Sequence, residues 1–264
     1  MGAAVSVDEQ VLIELQRIER ENGVRVLLAV ESGSRAWGFA SPDSDYDVRF
    51  IYVHTPDWYL SVLESRDVIE EMLPGDLDVS GWDLRKTLRL FAKCNLALNE
   101  WLGSPIVYAE ADGFRRELSP LVSRFFSPNA GLHHYRSMAT RSFEENYFDG
   151  RIGIKKLFYV LRPLLACRWI VQRRSQPPTQ FGDLTDADLI SAEERAWIRD
   201  LLTRKAEAKE AASIEIDEAY ATRIRSELER YKAMMFAPAP AIEGRSAELD
   251  SVLRRWISHR PSGL

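Results

Sequence analysis

The run Ser32-Gly33-Ser34-Arg35-Ala36-Trp37-Gly38, followed six residues later by Ser44-Asp45-Tyr46-Asp47, holds the groups in this chain best suited to phosphate and metal chemistry. A Gly-Ser turn has backbone freedom and offers N–H groups, and carboxylates at i and i+2 of a strand point to one face. Together they suit a nucleotide's phosphates and the cations that accompany them. Carboxylates held this close repel unless a cation lies between them, and hard oxygen ligands favour Mg²⁺ or Mn²⁺. Arg49 falls on the same strand face as Asp45 and Asp47, either as a phosphate contact or as a salt bridge that keeps the acids in place.

Such a pair calls for a third ligand. The stretches 66–73 and 77–82 read as two strands joined by Pro74-Gly75-Asp76, and the second carries Asp78. Asp83 competes for the role, but it directly precedes the helical run from Leu84 to Phe91, where an aspartate acts as an N-cap. Asp78 is therefore the expected ligand.

Other phosphate and metal motifs fail on these residues. Gly33 and Gly38 have Walker spacing, but Phe39-Ala40 stand where Lys-Ser/Thr is required. The dinucleotide fingerprint lacks its middle glycine. Asp43 to Asp47 begins like an EF-hand loop, yet Val48 and His54 replace its turn glycine and its closing glutamate.

Gly33-Ser34 with Trp37-Gly38, Ser44-Asp45-Tyr46-Asp47 and a strand-borne Asp78 resemble the DNA polymerase beta-like nucleotidyltransferase superfamily. Asn95, Glu100-Trp101-Leu102 and Ser104 to Tyr108 resemble its branch associated with RNA ligase and RNA repair. The superfamily motif covers about the first third of the chain, and the branch resemblance reaches the helices near Lys155 to Pro163. The resemblance implies an α/β (α+β) catalytic domain with a short mixed sheet, an NTP donor and two Mg²⁺ or Mn²⁺ ions. It implies that Asp45 and Asp47 hold both ions, with Asp78 completing the site of the one that activates the nucleophile. Gly33, Ser34 and the N–H groups after them would hold the β/γ-phosphates, with Arg35 and Arg49 as further nucleotide contacts. The acceptor it implies is an RNA 3′ end, from tRNA or a broken RNA, with an RNA ligase in the same pathway. Nucleotidylation of a protein or small molecule, and a catalytically silent nucleic-acid-binding module, are the alternatives.

These groups need elements to position them. Val24 to Val30 is a buried strand that ends where the Gly-Ser turn begins, and Asp45 to Val53 is a second strand with the acids on one face. Val7 to Asn22 is an amphipathic helix stopped by Gly23, and Arg35 to Phe39 forms a short helical turn. At 264 residues and 45% hydrophobic content the chain supports one large domain or two moderate ones. Prolines 120 and 128 interrupt the pattern, which gives a catalytic domain over 1–118 and an all-α C-terminal domain over 129–264.

That second part expects helices over 132–149, 152–174 and 246–258, with the alanine-rich 204–212 as a solvated surface helix. Lys155, Tyr159 and Arg162 share a helix face, and the stretch 133–174 carries nine Lys/Arg against Glu144, Glu145 and Asp149. An aromatic between two cations suits a base and its phosphates. The net charge of −5 argues against a surface coated for nucleic acid but leaves room for a local basic groove. Two cysteines in apolar patterns indicate neither a disulfide framework nor a zinc site. With no membrane-length apolar run and no secretory signal, the expected location is the cytoplasm.

Overall fold

β-Branched runs in the first part of the chain make strands, and helices with one apolar stripe cover them. The computed structural model describes residues 6–41, 44–73, 77–186, 188–207, 213–237 and 246–258. In chain order the first elements are α1 (Val7–Asn22), β1 (Arg25–Glu31), α2 (Gly33–Ala36), β2 (Tyr46–Val53), α3 (Pro56–Tyr59), β3 (Val68–Leu73) and β4 (Leu77–Asp83). Then come α4 (Leu84–Ala92), α5 (Leu96–Leu102), β5 (Val107–Glu110), α6 (Phe114–Phe125), α7 (Pro128–Asn146), β6 (Arg151–Gly153) and α8 (Ile154–Arg173). The last are α9 (Phe181–Asp186), α10 (Ala192–Glu207), β7 (Ser213–Glu215), α11 (Glu218–Ala233) and α12 (Ser246–Ser258). The chain forms two units, one of residues 1–33, 45–125 and 240–264, the other of residues 34–44 and 126–239.

The first unit holds a five-stranded mixed sheet in the order β3-β4-β2-β1-β5. Only β2 and β4 are parallel. Alternation along β2 sends Val48, Phe50 and Tyr52 to a core shared with Val11, Leu15 and Ile18 of α1. Ile51 and Val53 join the opposite core with α4, α5 and α6. α1 is delimited as its sequence requires, by a Ser6–Glu9 capping box and by Gly23 at φ 62°.

α12 belongs to this unit rather than to a contiguous C-terminal domain. Its Leu249, Val252 and Trp256 complete the core against Phe114 and Leu118, and the Trp256 indole donates to Glu117 at 2.9 Å. An amphipathic stripe states only that a helix covers something apolar, not which part of the chain that is.

In the second unit α7 and α8 pack along their length, and α8 is buried over most of its surface. Arg168 joins three helices: its Nε and Nη2 donate to the two oxygens of Glu227 at 2.8 and 2.9 Å, and its Nη1 donates to Glu194. The unit is not all-α, because β6 and β7 pair as a small antiparallel sheet. Three-residue strands are too short to show a period of two in sequence. The turn expected at 74–76, the alanine-rich 208–212 and the Pro-rich 238–240 lie outside the described residues. Lys205, placed by sequence on a solvated helix, is buried and donates to the Phe39 carbonyl. Among the described residues no helix is long and apolar enough to cross a membrane.

Gly81 lies in β4 opposite Phe50, and a Cβ there would overlap the Phe50 ring. Gly81→Ala is expected to lower unfolding stability by about 1–3 kcal/mol, read by urea denaturation. An unchanged midpoint would mean that Phe50 has room to turn aside.

Candidate active site

Strand register decides which acids meet. In the parallel β2–β4 pair Asp47 lies opposite Asp78, so their side chains share one face of the sheet. Arg49, two residues along β2, reaches both: its Nη2 donates to Asp47 Oδ1 at 3.1 Å and to Asp78 Oδ2 at 2.7 Å. Its Nη1 donates to the carbonyls of Val48 and Asp78. Burial raises the Asp47 pKa, Arg49 opposes that rise, and the neighbouring Asp78 and Asp45 add to it. Asp45 is exposed, just ahead of β2.

The glycine of the turn is fixed by the same carboxylate. Gly33 has φ +61°, and a Cβ there would overlap the Asp47 carboxyl group, so glycine is required both for its conformation and for the close approach. The Ser32 N–H donates to the Asp47 carbonyl at 2.8 Å. One positioning residue escaped the sequence reading. Glu31 is fully buried at the end of β1, accepting from the Asp47 N–H at 2.8 Å and from the Tyr108 hydroxyl at 2.5 Å. Its signal was present as an acid closing an otherwise apolar strand.

Asp83 is an N-cap. Its side chain accepts from the Arg85 N–H at 2.8 Å and from the Tyr59 hydroxyl at 2.5 Å, and the residue is fully buried. The acids that remain offer the hard oxygen donors that Mg²⁺ or Mn²⁺ prefers. As the side chains stand, the Arg49 guanidinium supplies the counter-charge between Asp47 and Asp78. Among the described residues no group of three or more His, Cys, Asp or Glu side chains is gathered closely enough to hold a metal ion. Asp47 and Asp78 thus supply oxygen donors of the right chemistry, but in this arrangement they are gathered around the Arg49 guanidinium and not around a metal ion.

The remaining candidates lie in the second unit, to which the chain passes after Gly33. Ser34 is buried, and Arg35 Nη2 donates to the Ser44 carbonyl at 2.7 Å, bracing the segment that returns to the acids. Tyr159 sits edge-on to Trp37 and Phe39, with centroids 5.6 and 6.1 Å away. Lys155 and Tyr159 are half-buried, whereas Arg162 is wholly buried. Arg162 does not share an open face with the other two. Its Nε and Nη2 donate to the Thr179 carbonyl, and its guanidinium lies over the Trp37 ring at 4.3 Å. Helical spacing placed these three together, but α8 is enclosed by its neighbours, so the face at Arg162 turns inward.

Glu31→Gln is expected to keep the fold, since its amide oxygen can accept from Asp47 N–H while its NH₂ donates to the Tyr108 oxygen. Glu31→Leu strands two buried donors and is expected to cost on the order of 1–3 kcal/mol for each. Urea denaturation of both variants checks this; equal losses would mean that shape, not hydrogen bonding, holds the site.

Comparisons with known proteins bear on the same residues. A family model described as the RNA repair pathway DNA polymerase beta family matches residues 7–255. The uncharacterized protein YcgL of Bacillus subtilis (strain 168) is 44% identical over 252 residues, covering 94% of each chain. A crystal structure of a nucleotidyltransferase-like protein from Exiguobacterium sibiricum 255-15 aligns over 96% of both chains at 14% identity, with a TM-score of 0.29. That superposition is too loose to inform the fold or the site. The family match runs from the first helix into the last, across the Gly-Ser turn, the acids and the helical unit, and the chain belongs to the RNA repair pathway DNA polymerase beta family.

Proposed function

We infer that this protein transfers a nucleoside monophosphate from an NTP to the 3′ hydroxyl of an RNA undergoing repair, with release of pyrophosphate. The observation that carries the reading is the facing pair Asp47 and Asp78, bridged by Arg49 and pressed against the backbone of Gly33. Like charges brought together need a counter-charge, which Arg49 supplies here and which divalent cations would supply once substrate enters. Family membership supplies the reaction class and the RNA-repair setting.

Asp45, Asp47 and Asp78 would hold Mg²⁺ or Mn²⁺. Bound there, the cations supply Lewis-acid stabilisation of the entering and leaving oxygens and lower the pKa of the attacking hydroxyl. Gly33 admits the donor's phosphates close to the backbone, and the N–H groups that follow, with the Ser34 hydroxyl, donate to the β/γ-phosphates. Arg49 serves as the counter-charge that keeps the acid pair aligned before substrate enters, and its freed guanidinium is then a ready donor to phosphate oxygen. Glu31 holds the Asp47 backbone in place from behind.

The test is incubation of the protein with each labelled NTP, Mg²⁺ and single-stranded RNA. Asp45→Asn and Asp47→Asn are expected to abolish transfer with the fold intact, and Asp78→Asn to reduce it by at least two orders of magnitude. Asp83→Asn should retain activity, because asparagine also caps helices. Chelation by EDTA should stop the reaction and added Mg²⁺ restore it. Activity lost in Asp83→Asn but kept in Asp78→Asn would reassign the third ligand. Transfer to a protein or small molecule with none to RNA would overturn the acceptor.

Ser34→Ala should raise the NTP Michaelis constant with little loss of stability. Unchanged kinetics would leave the phosphates to the backbone donors alone.

A further inference from the structure

Within the helical unit, α7 and α8 enclose a groove of about 480 Å³ that the proposed chemistry does not use. His133, Arg141 and Glu145 line it from α7 along a strip that winds slowly round the helix, and Lys156 and Tyr159 line it from α8. His133, Arg141 and Lys156 are exposed.

Their charges are not absorbed by the fold. Elsewhere in this unit Arg151 pairs with Glu215, Arg168 with Glu194 and Glu227, and Arg225 with Glu218. Among the described residues, neither Arg141 nor Lys156 forms an ion pair. Glu145 is the one carboxylate in the groove lining. From His133 to Glu145 the strip runs for about 18 Å at the rise of an α-helix, a length that suits an extended polyanion better than a compact triphosphate. Tyr159 packs on Trp37, three residues after Ser34 in the same unit.

We propose that the α7–α8 groove binds the phosphodiester backbone of the single-stranded acceptor RNA. Arg141 and Lys156 contact its phosphates, the first through a planar fork and the second as a point charge. Tyr159 is a platform for one of its bases. This rests on the RNA-acceptor reading and replaces the inward-facing Arg162 with Arg141 and Lys156 as the phosphate contacts. Glu145 opposes a polyanion and limits its affinity.

The experiment is fluorescence anisotropy of a labelled single-stranded RNA of mixed sequence, titrated with full-length protein at several KCl concentrations. Arg141→Ala and Lys156→Ala should each weaken binding several-fold at low salt and reduce the slope of log affinity against log salt by about 0.7. Tyr159→Ala should weaken binding without changing the slope. Glu145→Gln should tighten it, a gain that a damaged fold would not produce. Arg116→Ala removes an equal charge from an exposed position in the sheet unit and should leave binding unchanged. RNA bound equally well by wild type, Arg141→Ala, Lys156→Ala and Glu145→Gln would overturn the groove while leaving the RNA acceptor standing. Wild type that neither binds RNA nor transfers nucleotide to it would overturn both.

Discussion

Two carboxylates face each other on neighbouring strands because β2 and β4 run parallel with Asp47 opposite Asp78. Their repulsion is met by one guanidinium, Arg49, which sits two residues from Asp47 and so emerges on the same face. Much of the sheet unit follows from keeping that arrangement fixed. Buried Glu31 holds the Asp47 N–H, Ser32 holds its carbonyl, and Gly33 leaves room for its carboxylate. Val48, Phe50 and Tyr52, on the alternate face of β2, anchor the strand in the α1 core. A slip of one residue in the pairing would turn the acids into that core and the apolar side chains out of it.

The segment from Ser34 to Ser44 has a different anchor. It belongs to the helical unit, where Trp37 and Phe39 join Phe158, Tyr159 and Phe181 in one aromatic cluster. Arg162 lies over Trp37, Phe181 N–H donates to the Trp37 carbonyl, and Lys205 donates to the Phe39 carbonyl. The peptide bond between Gly33 and Ser34 thus joins the unit that holds Asp47 and Asp78 to the unit that holds Ser34.

The cations of 133–174 divide by function once the helices pack. Arg162 and Arg168 are drawn inside, the first onto a carbonyl and an indole ring, the second onto two glutamates. Such buried charges specify which helices meet, because each guanidinium needs its own set of acceptors. Arg141 and Lys156, with no such partners, remain exposed, as the proposed RNA contact requires. Overall acidity is no obstacle to this, since a polyanion responds to the local field of the groove and to the counterions it releases there.

Sequence alone determined the strand–turn–strand that carries Gly33, Ser34, Asp45 and Asp47, because period-two alternation, a glycine with its conformational freedom and a closely spaced acid pair are all local patterns. It also marked Asp83 as a helix cap, since helix capping is decided by the residues next in line. Tertiary structure alone decided what depends on distant neighbours. The β2–β4 register set Asp78 opposite Asp47, and the burial of Glu31 emerged only when Tyr108 arrived on β5. The destination of α12 was likewise set by the apolar surface left uncovered on α4 and α6. Arg162 marks the limit of local reading most clearly. Helical spacing told which side chains share its face, but whether that face meets water or the protein interior depends on which neighbours cover α8 at Arg162, a property of the packed helices that no short stretch of sequence contains.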